Sequence, residues 1–496
     1  METDLITTSI RTDTSLGHTL THLAGRTLIG GASGLVAGLL YAALLDSQRM
    51  SPMMSPTDLP GDTFIHLLLS IIVGISYALV VGDRVTTPGG GLVSGILAGL
   101  IWWGVGPLTL FPLLHGARPD WGIAAARDAF PLLVGLAVTF GALMGWLNWL
   151  IIRIAAYATP FTVIRARLLD TLQAAISGGL AGMIGGWVFG KWMEQAGLFP
   201  LIAGLVAADD SAMGRSVHFV ISIVIGITYG VLFQRDVRSA GSSIAWGFAY
   251  GLIWWVIGAL TILPFLLGDG VQWSRTAAQG SFASLIGHLL YGITLGLVYA
   301  LISRFWRTLF IESDPLTRAA EGPGTRGLRG IGLGAAASIF GGLAFTLIML
   351  ATNALPTVAS LIGMTSVFEG FLVHMVISIL IGASFGLLYG RESASPVSAL
   401  GWGLFYGIVW WVLGPLTIMP ALLGAPFQWS LAAAAGAFPS LIGHLLYGAV
   451  LGLVYHRLLQ RFAPPHSITS SDSDHTTTGL WAMIVLLVMI LLLLSV

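Results

Sequence analysis

Three stretches of this 496-residue chain carry a histidine followed by a serine, a glycine and an aromatic residue at fixed spacing. Steps of four, four and three residues place such side chains on one face of a helix. The sets are His66, Ser70, Gly74 and Tyr77; His218, Ser222, Gly226 and Tyr229; and His374, Ser378, Gly382 and Phe385. A histidine near an outer helix end, with an ordinary pKa of about 6.5, could respond to external acidity. Alternatively, the histidine and serine hydrogen-bond between helices while the glycine admits a neighbouring helix.

A second group of histidines lies in two GHLLYG motifs, which contain His288 with Tyr291 and His444 with Tyr447. Downstream of the first stretch, the position that corresponds to His288 and His444 is occupied by Leu136. We expect these motif histidines to lie deeper in the membrane than the first group. A neutral imidazole in hydrocarbon needs a partner, either a hydrogen bond to another helix or a haem or chlorophyll-type pigment that it ligates.

Downstream of each of the three histidine-containing stretches, a Trp-Trp pair is followed by prolines and threonines. They are Pro107, Thr109 and Pro112; Thr261 and Pro264; and Pro415, Thr417 and Pro420. Proline interrupts helical hydrogen bonding, and a threonine hydroxyl can satisfy a freed carbonyl. The pattern predicts a kinked or broken helix near the outer surface, set against protein or a water-filled vestibule. Trp121, Trp273 and Trp429 come next and are typical of an outer aromatic belt.

Residues that most enzymes and ion carriers need are missing from the apolar segments. The chain has no cysteine, which excludes thiol catalysis, disulfides and cysteine-held metals. No charged residue lies near the middle of an apolar segment, so an ion-coupled antiporter of the usual kind is not expected. No nucleophile–base pair, metal-binding cluster or phosphate loop recurs, so we expect neither an enzyme nor a metal site. Net charge is zero and there is no basic block, which gives no indication of nucleic-acid binding.

Membrane helices must position these residues. The chain is 56% hydrophobic and only 9% charged, whereas a soluble domain carries about 25% charged residues. It also contains 65 glycines, many spaced by four, as at Gly247 and Gly251. Residues four apart share a helix face, and small residues there let membrane helices approach closely. The lipid bilayer is therefore the expected surrounding of the chain.

An internal repeat organises the apolar segments. Trp103, Trp255 and Trp411 are separated by 152 and then 156 residues. The same two intervals separate His66, His218 and His374, which we call the stripe histidines. Each repeat holds four apolar segments, most of them near the ~20 residues that cross a bilayer, so successive copies run parallel. The sequence predicts an all-α integral membrane protein with three parallel tandem four-helix repeats, twelve transmembrane helices, and one C-terminal transmembrane helix. The predicted boundaries are an N-terminal cytoplasmic segment at 1–24, repeats at 25–160, 165–312 and 326–462, a polar linker at 463–478 and a C-terminal anchor at 479–496.

Basic residues indicate the orientation. With the N-terminus in the cytoplasm, 16 of the 22 basic residues fall on the cytoplasmic side. The first 25 residues are polar and lack the apolar region of a signal peptide. We therefore expect a multi-pass protein of a bacterial-type inner membrane, with the N-terminus cytoplasmic and the C-terminus on the outer side. The Leu-rich C-terminal helix is an added anchor that could contact a partner in a membrane complex.

The order of these motifs resembles the YagU-like (DUF1440) family of bacterial inner-membrane proteins. The shared order is His-x-x-x-Ser-Ile with a tyrosine eleven residues after the histidine, a Gly-rich helix running into Pro-Leu-Thr or Ala-Leu-Thr, and then Gly-His-Leu. The resemblance covers residues 64–152, 216–304 and 372–461 separately, because the family members are single units. It implies an association with acid tolerance and singles out His66, His218, His374, His288 and His444. Leu136 departs from the pattern.

Two classes of function fit these residues. The first is a permeation or transport protein for a small neutral solute or protons, with the outer histidines as gates or pH sensors. The second is a non-transporting subunit of a larger membrane complex, either a structural scaffold or a holder of haem or pigment. The expected helix breaks favour transport, whereas the lack of buried charge, the glycine surfaces and the extra helix favour the second class.

Overall fold

The computed structural model describes residues 2–46, 62–114, 116–155, 161–310, 323–462 and 474–495, and these residues contain helices and turns but no β-strand. Twelve of the described helices are long and apolar enough to cross a membrane. They are α1 (Thr21–Leu45), α2 (Thr63–Val80), α3 (Pro88–Leu114), α4 (Phe130–Ile154), α5 (Asp170–Gln195), α6 (Ser211–Phe233), α7 (Ala240–Leu266), α8 (Phe282–Trp306), α9 (Arg326–Ala351), α10 (Val367–Tyr389), α11 (Pro396–Leu422) and α12 (Phe438–Phe462). A further helix, α13 (Asp474–Ser495), has a shorter apolar part, Gly479–Ser495. The chain is an all-α polytopic membrane protein, as its composition predicts.

Several helices extend past their apolar parts. The spans α1 and α5 belong to the longer helices Glu2–Asp46 and Phe161–Gln195, so the predicted N-terminal segment is helical from Glu2. Helix α13 begins at Asp474, inside the predicted linker. The predicted boundaries that fall on residues 156–160, 311–322 and 463–473 lie outside the described residues. Short helices connecting the spans are Ile123–Asp128, Phe199–Ala203, Arg275–Gly280, Leu355–Ala359 and Leu431–Gly436.

The chain divides into two compact units. Unit 1 comprises residues 1–164 and 256–275, and unit 2 comprises residues 165–255 and 276–496. Phe130 and Leu133 are fully buried in unit 1, as are Tyr229 and Trp255 in unit 2. The ranges 25–160, 165–312 and 326–462 are called the first, second and third segments below.

Glycines hold the third and fourth helices of each segment in backbone contact. A Cβ atom at Gly95 of α3 would overlap the carbonyl oxygen of Gly141 of α4. The same overlap would occur between Gly247 and Gly292 and between Gly403 and Gly448. Lipid provides no hydrophobic drive between helices, so close backbone packing of this kind must supply the attraction. These contacts are the small-residue surfaces that the four-residue glycine spacing predicts.

Helix α4 differs from its counterparts α8 and α12 by one inserted residue. Gly135 and Gly141 of α4 are six positions apart, whereas Gly287 and Gly292 of α8 are five apart. An extra residue in an α-helix is accommodated by widening it into a π-helix. Residues Leu133–Gly141 accordingly form a nine-residue π-helix, while α8 stays α-helical throughout. The insertion keeps Gly141 on the glycine surface that faces α3.

The prolines distort the third helices without breaking them, so the break in the predicted kinked or broken helix is wrong, while the kink stays a prediction. Helix α3 continues through Pro107 as a wide π-helical turn, Gly106–Leu110. The Thr109 hydroxyl donates to the Gly104 carbonyl five residues earlier, at 2.9 Å. The same bond joins Thr261 to Val256 and Thr417 to Val412, each at 2.8 Å. The helix thus runs on through the π-turn, and threonine satisfies a freed carbonyl as the sequence indicates.

The loop after each third helix folds back to satisfy a second carbonyl. Pro112 has no N–H, so the Leu108 carbonyl four residues earlier loses its helical donor. The backbone N–H of Asp120 replaces that donor at 3.1 Å. The equivalent bonds run from Gln272 to Leu260 at 2.7 Å and from Gln428 to Leu416 at 2.9 Å. The protein satisfies this irregular backbone itself, so the prolines by themselves do not require a water-filled vestibule.

Candidate functional site

The stripe histidines join the first and second helices of each segment. The Nε2–H of His66 donates to the Gly38 carbonyl at 3.0 Å. The matching bonds run from His218 to Gly186 at 2.9 Å and from His374 to Gly342 at 3.0 Å. Ser70 donates to the His66 carbonyl at 2.8 Å, and the three histidines and three serines are all buried. This geometry is the interhelical role that the sequence left open beside pH sensing.

The motif histidines use their other ring nitrogen. The Nδ1–H of His288 donates to the Ser284 carbonyl at 2.7 Å, and His444 makes the same bond to Ser440 at 2.7 Å. In a neutral ring, each Nε2 then carries a lone pair instead of a hydrogen. Both rings are half-buried. A ring held in this way presents Nε2 as a ready acceptor or ligand.

Each motif histidine packs on the same phenylalanine ring as a stripe histidine. The centroid of the Phe189 ring is 4.8 Å from that of His288 and 5.8 Å from that of His218. In the third segment, Phe345 lies 4.8 Å from His444 and 5.2 Å from His374. His218 falls seven residues after the start of α6, and His288 falls six residues after the start of α8. The greater depth expected for the motif histidines stays a prediction. Packing thus brings two imidazoles to one phenylalanine ring in each of these segments, and we call them the histidine pair.

Buried tyrosines continue from the histidine pair of the second segment. The Tyr291 hydroxyl donates to the Ser222 carbonyl at 2.7 Å. Tyr250 shares a hydrogen bond of 2.7 Å with the Thr228 hydroxyl. The centroid of the Tyr229 ring lies 5.7 Å from that of Tyr250. We call the following residues the second-segment ladder: His218, His288, Tyr291, Tyr250, Tyr229 and Tyr299.

The third segment has a matching series. The Tyr447 hydroxyl donates to the Ser378 carbonyl at 2.7 Å, and Tyr406 bonds the Ser384 hydroxyl at 2.5 Å. The ring of Tyr389 lies 5.4 Å from that of Tyr406. The tyrosines of both ladders are all less than 5% exposed. We call the following residues the third-segment ladder: His374, His444, Tyr447, Tyr406, Tyr389 and Tyr455.

Each ladder ends at a buried carboxylate where the second helix of its segment finishes. Asp236 is 8% exposed, and its backbone N–H donates to the carbonyl of Phe233, the last residue of α6, at 2.9 Å. Glu392 is 9% exposed, and its backbone N–H donates to the carbonyl of Tyr389, the last residue of α10, at 3.0 Å. The Glu392 Oε1 accepts a hydrogen bond of 2.8 Å from Ser239, the N-cap of α7. The carboxylate therefore lies at the positive end of a helix dipole, which stabilises its charge.

The first segment shares the packing but lacks most of the ladder. Its histidine, serine and glycine contacts match those of the other segments, and Tyr77 keeps a hydrogen bond of 2.7 Å to Ser94. With the insertion in α4 taken into account, the first segment has Leu136 in place of His288, Ala98 in place of Tyr250, Phe140 in place of Tyr291 and Asn148 in place of Tyr299. Arg84 stands where the second segment has Asp236. Apolar groups therefore interrupt the series.

A small cavity lies in unit 1 beside the π-helix of α4. It is lined by His66, Leu69, Ser70, Trp102, Phe111, Leu136 and Phe140. At about 20 Å³ it can hold a water molecule. The Tyr41 ring lies 5.4 Å from that of His66, and its hydroxyl is buried without a hydrogen-bond partner among the described residues. The first segment thus offers a polar pocket at the end where the other segments have paired imidazoles.

Two of the three tryptophans expected in an aromatic belt are buried, and that prediction is wrong for them. Trp273 is 1% exposed and Trp429 is 4% exposed, whereas Trp121 is 67% exposed. The indole N–H of Trp273 donates to Thr261 at 2.8 Å, and that of Trp429 to Thr417 at 3.0 Å. Each threonine hydroxyl therefore donates a hydrogen bond to a carbonyl of its own helix and accepts one from the tryptophan of the loop that folds back over the helix. Only Trp121 fits the belt.

Reasoning from the sequence missed the tyrosines of the third helices and the two carboxylates. Tyr250 and Tyr406 stand in AYGLIWW and FYGIVWW, where the first segment has LAGLIWW. That difference between otherwise matching repeats was the available signal. Asp236 and Glu392 lie just beyond the apolar segments, so hydropathy gave no sign of their burial.

No group of three or more His, Asp or Glu side chains within the described ranges is arranged to hold a metal ion. Comparison of the chain with protein-family models, with curated proteins and with solved structures gives no match. The two ladders therefore have to be interpreted from their own chemistry. They combine imidazole and phenol groups inside the membrane helices with a buried carboxylate just beyond the end of one helix. Ionisable groups within membrane helices commonly mark proton or ion pathways.

Proposed function

We propose that this protein is a permeation protein of a bacterial-type inner membrane that conducts protons through its second and third segments. The observation that carries the proposal is the pair of buried ladders, each of which leads from two imidazoles to a carboxylate. Three tandem four-helix repeats form the scaffold, and the resemblance to the YagU-like family is part of the same proposal. With the N-terminus in the cytoplasm, the histidine pairs face the outside and the carboxylates face the cytoplasm.

The ladder covers most of a crossing of the membrane. His218 lies 15 residues before Phe233, the last residue of α6, which corresponds to about 22 Å of helix against a hydrocarbon core of about 30 Å, and Asp236 follows in the next turn. Each phenol can both donate and accept a hydrogen bond, and each imidazole can take up a proton at one nitrogen while releasing one from the other. A proton needs only small rotations of such groups, whereas a larger solute needs an open path. The dense glycine packing around the ladders therefore favours protons over a neutral solute.

Proton flux into vesicles tests the proposal. The purified protein is reconstituted with a pH-sensitive dye inside, and a potassium gradient with valinomycin sets the membrane potential. Tyr250→Phe combined with Tyr406→Phe removes one hydroxyl from each ladder and keeps both rings. We expect the flux to fall at least tenfold. Tyr77→Phe in the first segment is the matched control and should leave the flux unchanged.

Two results would contradict proton conduction. One is a wild-type flux that equals that of empty vesicles. The other is a double variant that folds normally and conducts like the wild type, because an intact route through other groups would then carry the protons. A folded double variant is recognised by an unchanged elution profile and thermal midpoint in detergent.

A cofactor-holding role is the second candidate, and one observation favours it. His288 and His444 donate Nδ1–H to a backbone carbonyl, which is the arrangement that orients a histidine whose Nε2 ligates a metal centre. Haem or a chlorophyll-type pigment bound there would give a strong visible absorption band in protein purified from its native membrane. A clear spectrum from such material would remove this candidate.

A further inference from the structure

The first turn of α7 lies between the ends of the two ladders. Ser239, the N-cap of α7, donates its hydroxyl to the Oε1 of Glu392 at 2.8 Å, and the third-segment ladder ends at Glu392. The carbonyl of Ser243, four residues later, accepts a hydrogen bond of 2.8 Å from the Tyr229 hydroxyl, and the hydroxyls of these two residues lie 3.1 Å apart. Tyr229 belongs to the second-segment ladder. One helical turn, about 6 Å long, therefore contacts both ladders.

Backbone contact holds α7 and α10 together at this turn. A Cβ atom at Gly241 would lie 2.5 Å from the Leu388 carbonyl oxygen and 2.6 Å from the Tyr389 ring, closer than a real side chain can approach. Tyr389, a member of the third-segment ladder, therefore lies directly against α7 between Ser239 and Ser243. The contact between the two ladders is thus a tightly packed part of unit 2 and does not depend on the Ser239 hydrogen bond alone.

Buried hydroxyl groups occupy this turn. Ser242 and Ser243 are both 0% exposed. The Ser239 hydroxyl lies 3.3 Å from that of Ser242, and Ser242 is next to Ser243 in the chain. A hydroxyl group can accept one hydrogen bond while it donates another, so a series of hydroxyls can pass a proton along. The series Tyr229, Ser243, Ser242, Ser239 and Glu392 leads from the second-segment ladder to the carboxylate of the third.

The third segment lacks a matching series. Ala399 stands where the second segment has Ser243, and Phe385 stands where it has Tyr229. Neither side chain carries a hydroxyl, so the first turn of α11 offers no equivalent start of a route to another carboxylate. The hydroxyl series is therefore a feature of the second segment, and it connects that segment to the third.

We propose that Glu392 is a proton acceptor shared by both ladders, so that the second-segment ladder has two outlets, Asp236 and Glu392. This inference rests on the proposed proton conduction. It requires the Ser243 hydroxyl, which donates to a backbone carbonyl of α8 at 2.7 Å, to turn towards Ser242. Ser239 then gives its hydroxyl proton to Glu392 as it takes one from Ser242. The carboxylate is neutral until it releases that proton to the cytoplasm.

Proton flux into vesicles, measured with one ladder interrupted, tests the shared outlet. Tyr406→Phe interrupts the third-segment ladder, so the remaining flux passes through the second. Adding Glu392→Gln keeps the size of the side chain and an acceptor for Ser239 but removes the carboxylate. We expect the remaining flux to fall at least twofold, because only the Asp236 outlet is left. Adding Glu194→Gln instead changes an exposed carboxylate and is the matched control, which should leave the flux unchanged.

Two further variants make the result decisive. Ser243→Ala gives α7 the residue that α11 has at Ala399, and in the Tyr406→Phe protein it should lower the flux as much as Glu392→Gln does. The shared outlet is overturned if a folded Glu392→Gln variant of that protein conducts unchanged, or if Asp236→Asn alone reduces its flux to that of empty vesicles. A wild-type protein that conducts no better than empty vesicles would instead overturn proton conduction itself, and the shared outlet with it.

Discussion

The first segment and the two that follow it share a scaffold but differ in what the scaffold encloses. In all three, a histidine bonds a carbonyl of the first helix and glycines bring the third and fourth helices into contact. The second and third segments add a second imidazole and further tyrosines, whereas the first has Leu136, Ala98 and Phe140 at the matching positions and a widened helix. Helix packing does not depend on the polar ladder, because the same packing contacts are present in the first segment, where most of the ladder is absent.

The largest effect is expected from a one-residue deletion in the fourth helix of the second segment. Deletion of Leu290 from α8 rotates every later residue of that helix by about 100°, because an α-helix has 3.6 residues per turn. Gly292 and Gly296 would then leave the surface that contacts α7. We expect no monodisperse protein after purification in detergent, as measured by size-exclusion chromatography.

The matched deletion of Thr139 from α4 should be tolerated. It removes the extra residue of the π-helix and gives α4 the same glycine spacing as α8, so Gly141 and Gly145 can still face α3. We expect the variant without Thr139 to be monodisperse in detergent, whereas the variant without Leu290 gives no monodisperse protein. Equal loss of both proteins would show that the π-helix is required for folding and does not simply accommodate the insertion.

The next effect concerns the ladder itself. His288→Leu with His444→Leu gives both segments the leucine that the first segment has at Leu136. If the proposed route is correct, proton flux into vesicles falls at least tenfold, because each ladder loses its second imidazole. The reverse change, Leu136→His, should add no flux, since Ala98 and Phe140 still interrupt the series in the first segment. An increase in flux with Leu136→His would show that the histidine alone determines conduction.

The smallest expected effect measures what one ladder hydroxyl contributes to stability. Tyr291→Phe removes the hydrogen bond to the Ser222 carbonyl but keeps the aromatic ring that Phe140 supplies in the first segment. Interhelical hydrogen bonds in membrane proteins contribute about 0.6 kcal/mol on average, so the thermal midpoint in detergent should fall by about 1–2 °C. Tyr447→Phe should behave alike. A fall of more than about 5 °C would assign the hydroxyl a structural role that outweighs its place in the ladder.

Much of the fold could be predicted from the sequence. Composition and the length of the apolar segments gave the twelve spanning helices, and glycines spaced by four gave the surfaces on which they pack. The threonines after the Trp-Trp pairs were correctly expected to satisfy freed carbonyls. The insertion in α4 was also readable, since the spacing of Gly135 and Gly141 exceeds that of Gly287 and Gly292 by one.

The candidate site was only half visible in the sequence. The histidines of both groups were recognised, but their convergence on Phe189 and Phe345 was not, because each pair comes from two different helices. The burial of Trp273 was missed for a related reason. Its position after a helix is typical of an interfacial residue, and only the fold-back of the loop brings its indole to Thr261.

The sequence by itself determined the class of this protein, its twelve long apolar helices and the faces they use, since these depend on composition and on periodicity within one helix. The thirteenth span predicted at the C-terminus is a helix with a shorter apolar part, Gly479–Ser495. The tertiary structure alone decided which side chains meet. The hydrogen bond between Tyr291 and Ser222 spans 69 positions, and the one between Ser239 and Glu392 spans 153. Helical periodicity fixes the direction of a side chain but not the helix that lies opposite, which depends on how all the helices pack together.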